Sequence, residues 1–460
     1  MTIRRGVGAA VVLQLAAASP LWAAQEGGGH GAGLLVSVFV VFAVMLVAGK
    51  FSGELFERIG QPAVLGELIA GIVLGASVLG VIPTSPDNPV TEVVTIFAEI
   101  GVVVLLFEIG LETDLKQMFR VGGGAFSIAA VGVLVPMVGG VLFWMAPFID
   151  PSLNHASPTT TAIFLGATLT ATSVGITARV LQDLRLMHSV EARLIIGAAV
   201  IDDIMGIVLL GLVSSLVAGS AISVLSVSRS VVVAIGFLVA AVGIGLLLAP
   251  RVFGLLDQMQ VRGMLLVSAF AFLLLMAAAA DRVGLAMIIG AFAAGLILSG
   301  TNQFDVISSR IKPVADIFTP VFFLSIGAKF DVSLLDPTNP ENVSVLLIGG
   351  ALFVIAVIGK IVAGWAAPWI PFNRVGVGIG MIPRGEVGLI FANMGLMAGV
   401  VNTELFSAVV IMLMGTTFIA PPLLKWSFSR WGVKHSTGST RESPPQVERP
   451  PPRPKPPDDD

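Results

Sequence analysis

The chain has 460 residues, of which 55% are hydrophobic and 12% charged, with a formal net charge of −3 and a mean hydropathy of +0.96. A soluble domain carries about 25% charged residues, so this composition excludes an ordinary soluble fold and points to a membrane protein. The small net charge gives no bulk electrostatic case for nucleic acid, and the absence of cysteine excludes disulfides, thiol redox chemistry and thiolate metal sites.

The N-terminus places Arg4 and Arg5 before a short apolar core at 6–18, and small residues with a Pro follow from Ser19 to Ala24. This pattern predicts a secretory signal peptide over 1–24, cleaved near Ala23 or Ala24; the alternative is a short extra membrane helix. From Gly33 to about Trp426, apolar stretches of about 20 residues recur, each long enough to cross a bilayer as a helix. The alternating ten-residue strands of an outer-membrane barrel are absent from the sequence. Thirteen spans are expected, centred near residues 42, 72, 102, 133, 170, 203, 238, 270, 292, 320, 356, 388 and 415. If the mature N-terminus is outside, the inner loops hold Lys50, Arg58, Lys116, Arg120, Arg179, Arg185, Arg193, Arg251, Arg262, Arg310, Lys312 and Arg374. The outer loops hold little beyond Arg229, Arg282 and Lys329, so Lys and Arg favour an inside C-terminus. The tail, 434–460, is rich in Pro and charge, and is expected to be disordered and cytoplasmic.

Two halves of the chain resemble each other. ERIGQPAVLGELIAGIVLG (57–75) aligns with DRVGLAMIIGAFAAGLILS (281–299), sharing an acid, an Arg, and the counterparts of Gly60, Gly66, Ala70, Gly71 and Leu74. FEIGLETDL (107–115) aligns with LSIGAKFDV (324–332), TATSVG (170–175) with PRGEVG (383–388), and AVIDDIMG (199–206) with AVVIMLMG (408–415). The repeats begin at the second and ninth spans, an odd number apart, so the halves are expected to be inverted in the membrane. Many secondary transporters share that architecture, with sites at the midplane. Where the first half has Asp202 and Asp203, the second has Ile411 and Met412. The scaffold tolerates apolar residues there, so the acids look like an addition for chemistry.

Burying one ionisable residue in a bilayer costs about 2.5–3.5 kcal/mol on insertion scales and marks a functional site by default. Adjacent helix residues point about 100° apart, so one Asp can bind a cation from a water-filled cavity while the other meets a base. Lys360, in VIGKIVAGW (357–365), is the only Lys far from any loop and is expected in the middle of the eleventh span as that base; the alternative is a Lys snorkelling to an interface. TLTATSVGIT (168–177) holds five hydroxyl residues, and MIPRGEVGL (381–389) holds Pro383, Gly385 and Gly388 around Arg384 and Glu386. Both segments read as broken helices crossing beside the acids, with freed carbonyls and hydroxyls suited to a hard cation. Arg384 and Glu386 read chiefly as structural, pairing with each other or stabilising the crossing.

LGELIAGIVLG, LLFEIGLETDL, TATSVGITARVL, the Asp-Asp pair, GKIVAG and MIPRGEVGLI together resemble the second monovalent cation:proton antiporter family, most closely its NapA-type sodium/proton antiporters, over about residues 35–428. The resemblance implies an all-α polytopic membrane protein with 13 transmembrane helices, two inverted-topology repeats and two crossed interrupted helices, a NapA/NhaA-like antiporter fold. The membrane domain would span 32–428, with repeat one at 57–218 and repeat two at 281–428. Core helices at 92–146, 159–218, 313–328 and 343–428 would slide against a dimerisation domain. By residue match, Asp203 is expected to bind a cation and a proton in turn, and Asp202 to pair with Lys360. Thr170, Ala171, Thr172 and Ser173 fall at the first helix break, and Pro383, Arg384, Gly385 and Glu386 at the second. Asp203, Asp202 and Thr172 are the expected cation ligands.

An Asp-Asp pair with a Lys implies the electrogenic class, whereas a related potassium-efflux branch carries Gln-Asp. The expected function is therefore secondary active sodium/proton antiport, with Na+ and H+ competing for the same carboxylates. It is a transporter and not an enzyme, and no nucleotide motif such as GxxxxGK[ST] is present. No cofactor is expected beyond the transported Na+ and H+. The expected setting is a bacterial inner membrane, with the lipid bilayer and a second copy of the chain as partners and no nucleic acid. A potassium/proton antiporter on the same scaffold is the main alternative. A cation channel is disfavoured by the single inverted repeat and the lack of a filter-like loop.

Overall fold

The computed structural model describes residues 30–113, 115–147, 157–217, 224–338 and 340–431. The expected signal peptide at 1–24 and the Pro-rich tail at 434–460 lie outside the described residues. Within them the fold is all-helical. The first helices are α1 (His30–Arg58), α2 (Ala63–Leu74), α3 (Pro89–Leu111) and α4 (Leu115–Trp144). The short pair α5 (Pro158–Thr168) and α6 (Val174–Asp183) comes next, before α7 (Val190–Val217), α8 (Val224–Asp257) and α9 (Met264–Arg282). Then come α10 (Met287–Leu298), α11 (Phe304–Ala328), α12 (Pro340–Ala363), a second short pair α13 (Arg374–Gly380) and α14 (Glu386–Met397), and α15 (Thr403–Trp431).

Polar residues with Pro set several starts. Asn88 accepts from Val90 N at 2.9 Å with Pro89 following, and Ser157 accepts from Thr160 N at 3.1 Å with Pro158 following. Pro suits the first helical position, where its missing N–H costs nothing. Each of the thirteen expected centres falls on a helix or, at 170, in the gap between α5 and α6. Among the described residues, eight helices (α1, α3, α4, α8, α9, α11, α12 and α15) are long and apolar enough to cross a membrane. Contrary to the expected stretches of about 20 residues, α2 and α10 have 12 each. That is roughly 18 Å of helix, shorter than a bilayer core. Several basic residues expected in loops stand inside helices, among them Lys50, Arg179, Arg193, Arg251, Arg310 and Lys312. Helical hydrogen bonding continues past the apolar stretch; exposed Lys50 and Lys312 reach outward from it, whereas Arg179 turns inward to Asp183.

The helices pack in two groups. α3 lies against α10 and α11, α2 against α1 and α11, and α8 and α9 against α10. In the other group α4 packs on α5, α7 and α12, and α12 on α15. The expected core ranges set 92–146 and 313–328 beside the interrupted helices; α3 and α11 instead pack chiefly in the first group. Backbones approach closely there. Gly71 abuts the Leu324 carbonyl, Gly327 the Leu68 carbonyl, Gly110 the Phe292 carbonyl and Gly295 the Phe107 carbonyl. A Cβ at any of the four would collide with that oxygen, which is why small residues line membrane helix contacts. Contact between the groups runs through α6 and α15 against α2, through α6 against α3, and through α7 against α8.

Candidate functional site

Asp202 and Asp203 sit at the middle of α7, 2% and 7% exposed. Lys360 Nζ lies 3.2 Å from Asp202 Oδ2, and both side chains are buried. Contrary to expectation, Lys360 is in the last turn of α12 and not at the middle of a span. Its burial comes from packing: α4 and α15 cover α12, and Gly132 on α4 lies beside the Lys stem and Nζ. A cation in a last turn also meets the negative end of the helix dipole. Arg384 is fully buried and lies within electrostatic reach of Asp202. Two acids and two bases thus share one interior site with formal charges that cancel. Taking each charge out of water costs several kcal/mol, on the order of what pairing must return.

The two helix breaks cross beside this cluster. Residues 169–173 separate α5 from α6, and 381–385 separate α13 from α14. Ser173 N donates to the Pro383 carbonyl at 2.7 Å, which ties one break to the other. Thr177 Oγ1 donates to the Gly380 carbonyl at 2.6 Å and Thr172 Oγ1 to the Met381 carbonyl at 3.3 Å, both across the crossing. Thr170 Oγ1 turns back to the Ala167 carbonyl at 2.7 Å, and Ala171 is buried within the break. Gly385 sits against Ser173, where a Cβ would press on the hydroxyl.

Broken helices leave end groups without partners, and dipole ends inside a dry region need opposite charge. Arg384 answers this directly. Its guanidinium donates to the carbonyl of Leu169, which closes α5, and to the Ile382 carbonyl at 3.2 Å. Its own carbonyl accepts from Thr417 Oγ1 on α15. The positive starts of α6 and α14 meet at the same crossing. Glu386 is the first residue of α14; its side chain lies outside the described set. Asp202 Oδ1 and Ser173 Oγ have no hydrogen-bond partner among the described residues. Oxygen atoms with spare lone pairs in a buried, charge-balanced crossing are the donor set of a small hard cation.

Three supporting residues escape sequence reasoning. Thr417 is one hydroxyl in an apolar helix, and its partner is a backbone carbonyl far along the chain. Glu191 reads as an ordinary acid in a helix's first turn, yet it is fully buried and accepts from Asn373 N at 2.9 Å. Asn373 in turn caps α13 through Gly376 N at 2.9 Å and reaches Ser427 Oγ at 3.2 Å, so one chain of contacts seats the short half-helix on α7 and α15.

The fold and its crossed helix breaks define a polytopic helical transporter, and comparison with known proteins agrees. The model of the family described as sodium/hydrogen exchanger, transmembrane, matches residues 40–430. The high-affinity Na+/H+ antiporter NhaS3 of Synechocystis sp. is 38% identical over 426 residues, covering 86% of this chain and 90% of its own. The Na+/H+-K+ antiporter GerN of Bacillus cereus is 35% identical over 396 residues, covering 85% and 96%. The solved structure of the sodium proton antiporter MjNhaP1 from Methanocaldococcus jannaschii superposes with a TM-score of 0.59 at 17% identity, covering 86% of this chain and 97% of that one. The chain belongs to the sodium/hydrogen exchanger family, a family of monovalent cation:proton antiporters.

Proposed function

We propose that the protein is a secondary active sodium/proton antiporter working by alternating access, with Asp203 and Asp202 as the shared carboxylates. The observation that carries this reading is the buried Asp202–Lys360 pair, beside Asp203 and between two crossed helix breaks. With both acids ionised and both bases charged, the site is neutral. A bound Na+ adds one positive charge to a dry interior, and it enters as two protons leave, one from Asp203, which frees that carboxylate, and one from Lys360, which keeps the loaded site neutral. In reverse, protons return to Lys360 and Asp203 and expel the ion. Two protons against one Na+ make each cycle electrogenic. Thr172 and the freed carbonyls complete the oxygen ligands, while Arg384 holds the crossing and touches no cation.

The same reading takes the chain as thirteen spans in two inverted repeats, with each interrupted pair counted as one. Under the alignment of the halves, Gly71 corresponds to Gly295 and Leu324 to Phe107, and each glycine meets the other pair's carbonyl; Gly110, Gly327, Leu68 and Phe292 repeat the relation. A pseudo-two-fold axis produces such reciprocal contacts. The helices carrying the site, α4–α7 and α12–α15, then form a core that moves as an elevator against the others. The dimer and the inner membrane, with the mature N-terminus outside and the C-terminus cytoplasmic, belong to this reading too.

A potassium/proton antiporter is the second reading, supported by the relative whose name includes K+. Everted membrane vesicles test the main one. Asp203→Asn should abolish proton-coupled Na+ uptake while the protein remains folded and in the membrane. Full coupled exchange by that variant would refute the mechanism.

A further inference from the structure

Away from the candidate site, the contact between the two helix groups encloses four charged side chains: Glu67 on α2, Glu108 on α3, and Arg179 and Asp183 on α6. Glu67 and Glu108 are 2% and 4% exposed. Arg179 Nε lies 3.3 Å from Asp183 Oδ1, and both acids of α2 and α3 lie within its electrostatic reach. Glu108 is also bonded by Gln182, one residue before Asp183. Glu67 Oε2 has no hydrogen-bond partner among the described residues. The Asp183 carboxylate faces the backbone N–H groups of Ala63 and Val64, the opening residues of α2. That helix start has no cap of its own, because its N-cap residue is Pro62.

A second strap reaches the same turn. Lys425, on α15, donates to the carbonyl of Gly60. Gly60 holds φ of +76°, a left-handed conformation that glycine adopts without strain. Two helices of the site-bearing group therefore grip one turn, 60–64, of the other group, one from each half of the chain. Under the alignment of the halves Glu67 is matched by Ala291 and Glu108 by Ser325, so the second half carries no acid at either counterpart.

We propose that Arg179 is a positioning residue, the centre of an ionic seat through which α6 docks on α2 and α3 in one transport state and from which it must lift for the core to move. This rests on the moving-core reading above. None of the seat's residues touches Asp202 or Asp203 in the described contacts, so the seat sets the rate of the conformational step and leaves cation affinity alone. Removing Arg179 alone strands the Asp183 carboxylate; removing Arg179 and Asp183 together takes out both members of the 3.3 Å pair.

Two measurements test this in purified, liposome-reconstituted full-length protein. First, Arg179→Gln should lower the maximal Na+/H+ exchange rate by about tenfold, a change of one decade in rate. The Na+ concentration at half-maximal rate should stay within about twofold, and Arg179→Gln with Asp183→Asn together should recover much of the loss. Equal losses in affinity and rate, with no recovery in the double variant, would overturn the proposal. Second, the chain contains no cysteine, so Ala63→Cys with Asp183→Cys supplies the sole thiols. Bridging them with a short reducible reagent should stop the exchange that the unbridged variant retains, and reduction should restore it to that variant's own level. Undiminished exchange in bridged protein would show that α2 and α6 stay together throughout the cycle and overturn the seat as a moving contact. Failure of the antiporter reading is a separate result, retained exchange in Asp203→Asn, and the bridge experiment does not depend on it.

Discussion

Lys360 and Asp202 are each costly to bury alone and tolerable together, so the pair should respond asymmetrically to mutation. Lys360→Met takes from Asp202 its hydrogen-bonded partner and should destabilise the protein by about 3–5 kcal/mol. Lys360→Met with Asp202→Asn should recover most of that loss, and thermal unfolding in detergent reads both variants. Thr417→Val removes the hydroxyl that satisfies the Arg384 carbonyl and should cost about 1–3 kcal/mol, with a matching fall in transport. The charged members of the site were legible in the sequence, because an acid or Lys inside an apolar run has no ordinary reason to be there. Their orientation was legible only in part. Lys360 was expected at mid-span because its flanks are apolar on both sides, yet α12 stops at Ala363 and neighbouring helices supply the burial. Thr417, Glu191 and Asn373 stayed hidden because their partners are backbone groups or residues brought close only by the fold.

At the scale of helices, Pro, Gly and clustered hydroxyls at 168–177 and 381–389 announced the two breaks, since each disrupts the helical ladder in a recognisable way. Which helix lies against which was not legible. A helix apolar on all sides, such as α10, carries no period that marks one face for a protein neighbour and another for lipid. The glycine contacts supply that information afterwards and make a prediction. Gly295→Val forces a side chain onto the Phe107 carbonyl and should cost at least about 1–3 kcal/mol or prevent folding. Gly243→Ala on α8, where a Cβ meets open space, should be neutral or stabilise by up to about 1 kcal/mol. Detergent melting temperatures of the two variants should move apart accordingly.

For the whole molecule, the separation into two helix groups joined chiefly through α6, α7 and α15 gives a carrier the one property it needs, a boundary that can slip without dismantling either side. The site sits within one group, so under the proposed elevator motion that group would carry the ion across. On the proposed mechanism, cation and protons exchange at one charge-balanced cluster. Electrical recording on proteoliposomes, with separate Na+ and K+ gradients at fixed pH, tests it most directly. A Na+ gradient should drive a transient charge movement together with opposing proton flux, and Asp203→Asn should remove both. A current that persists in that variant, or Na+ movement with no proton counterflow, would contradict the account.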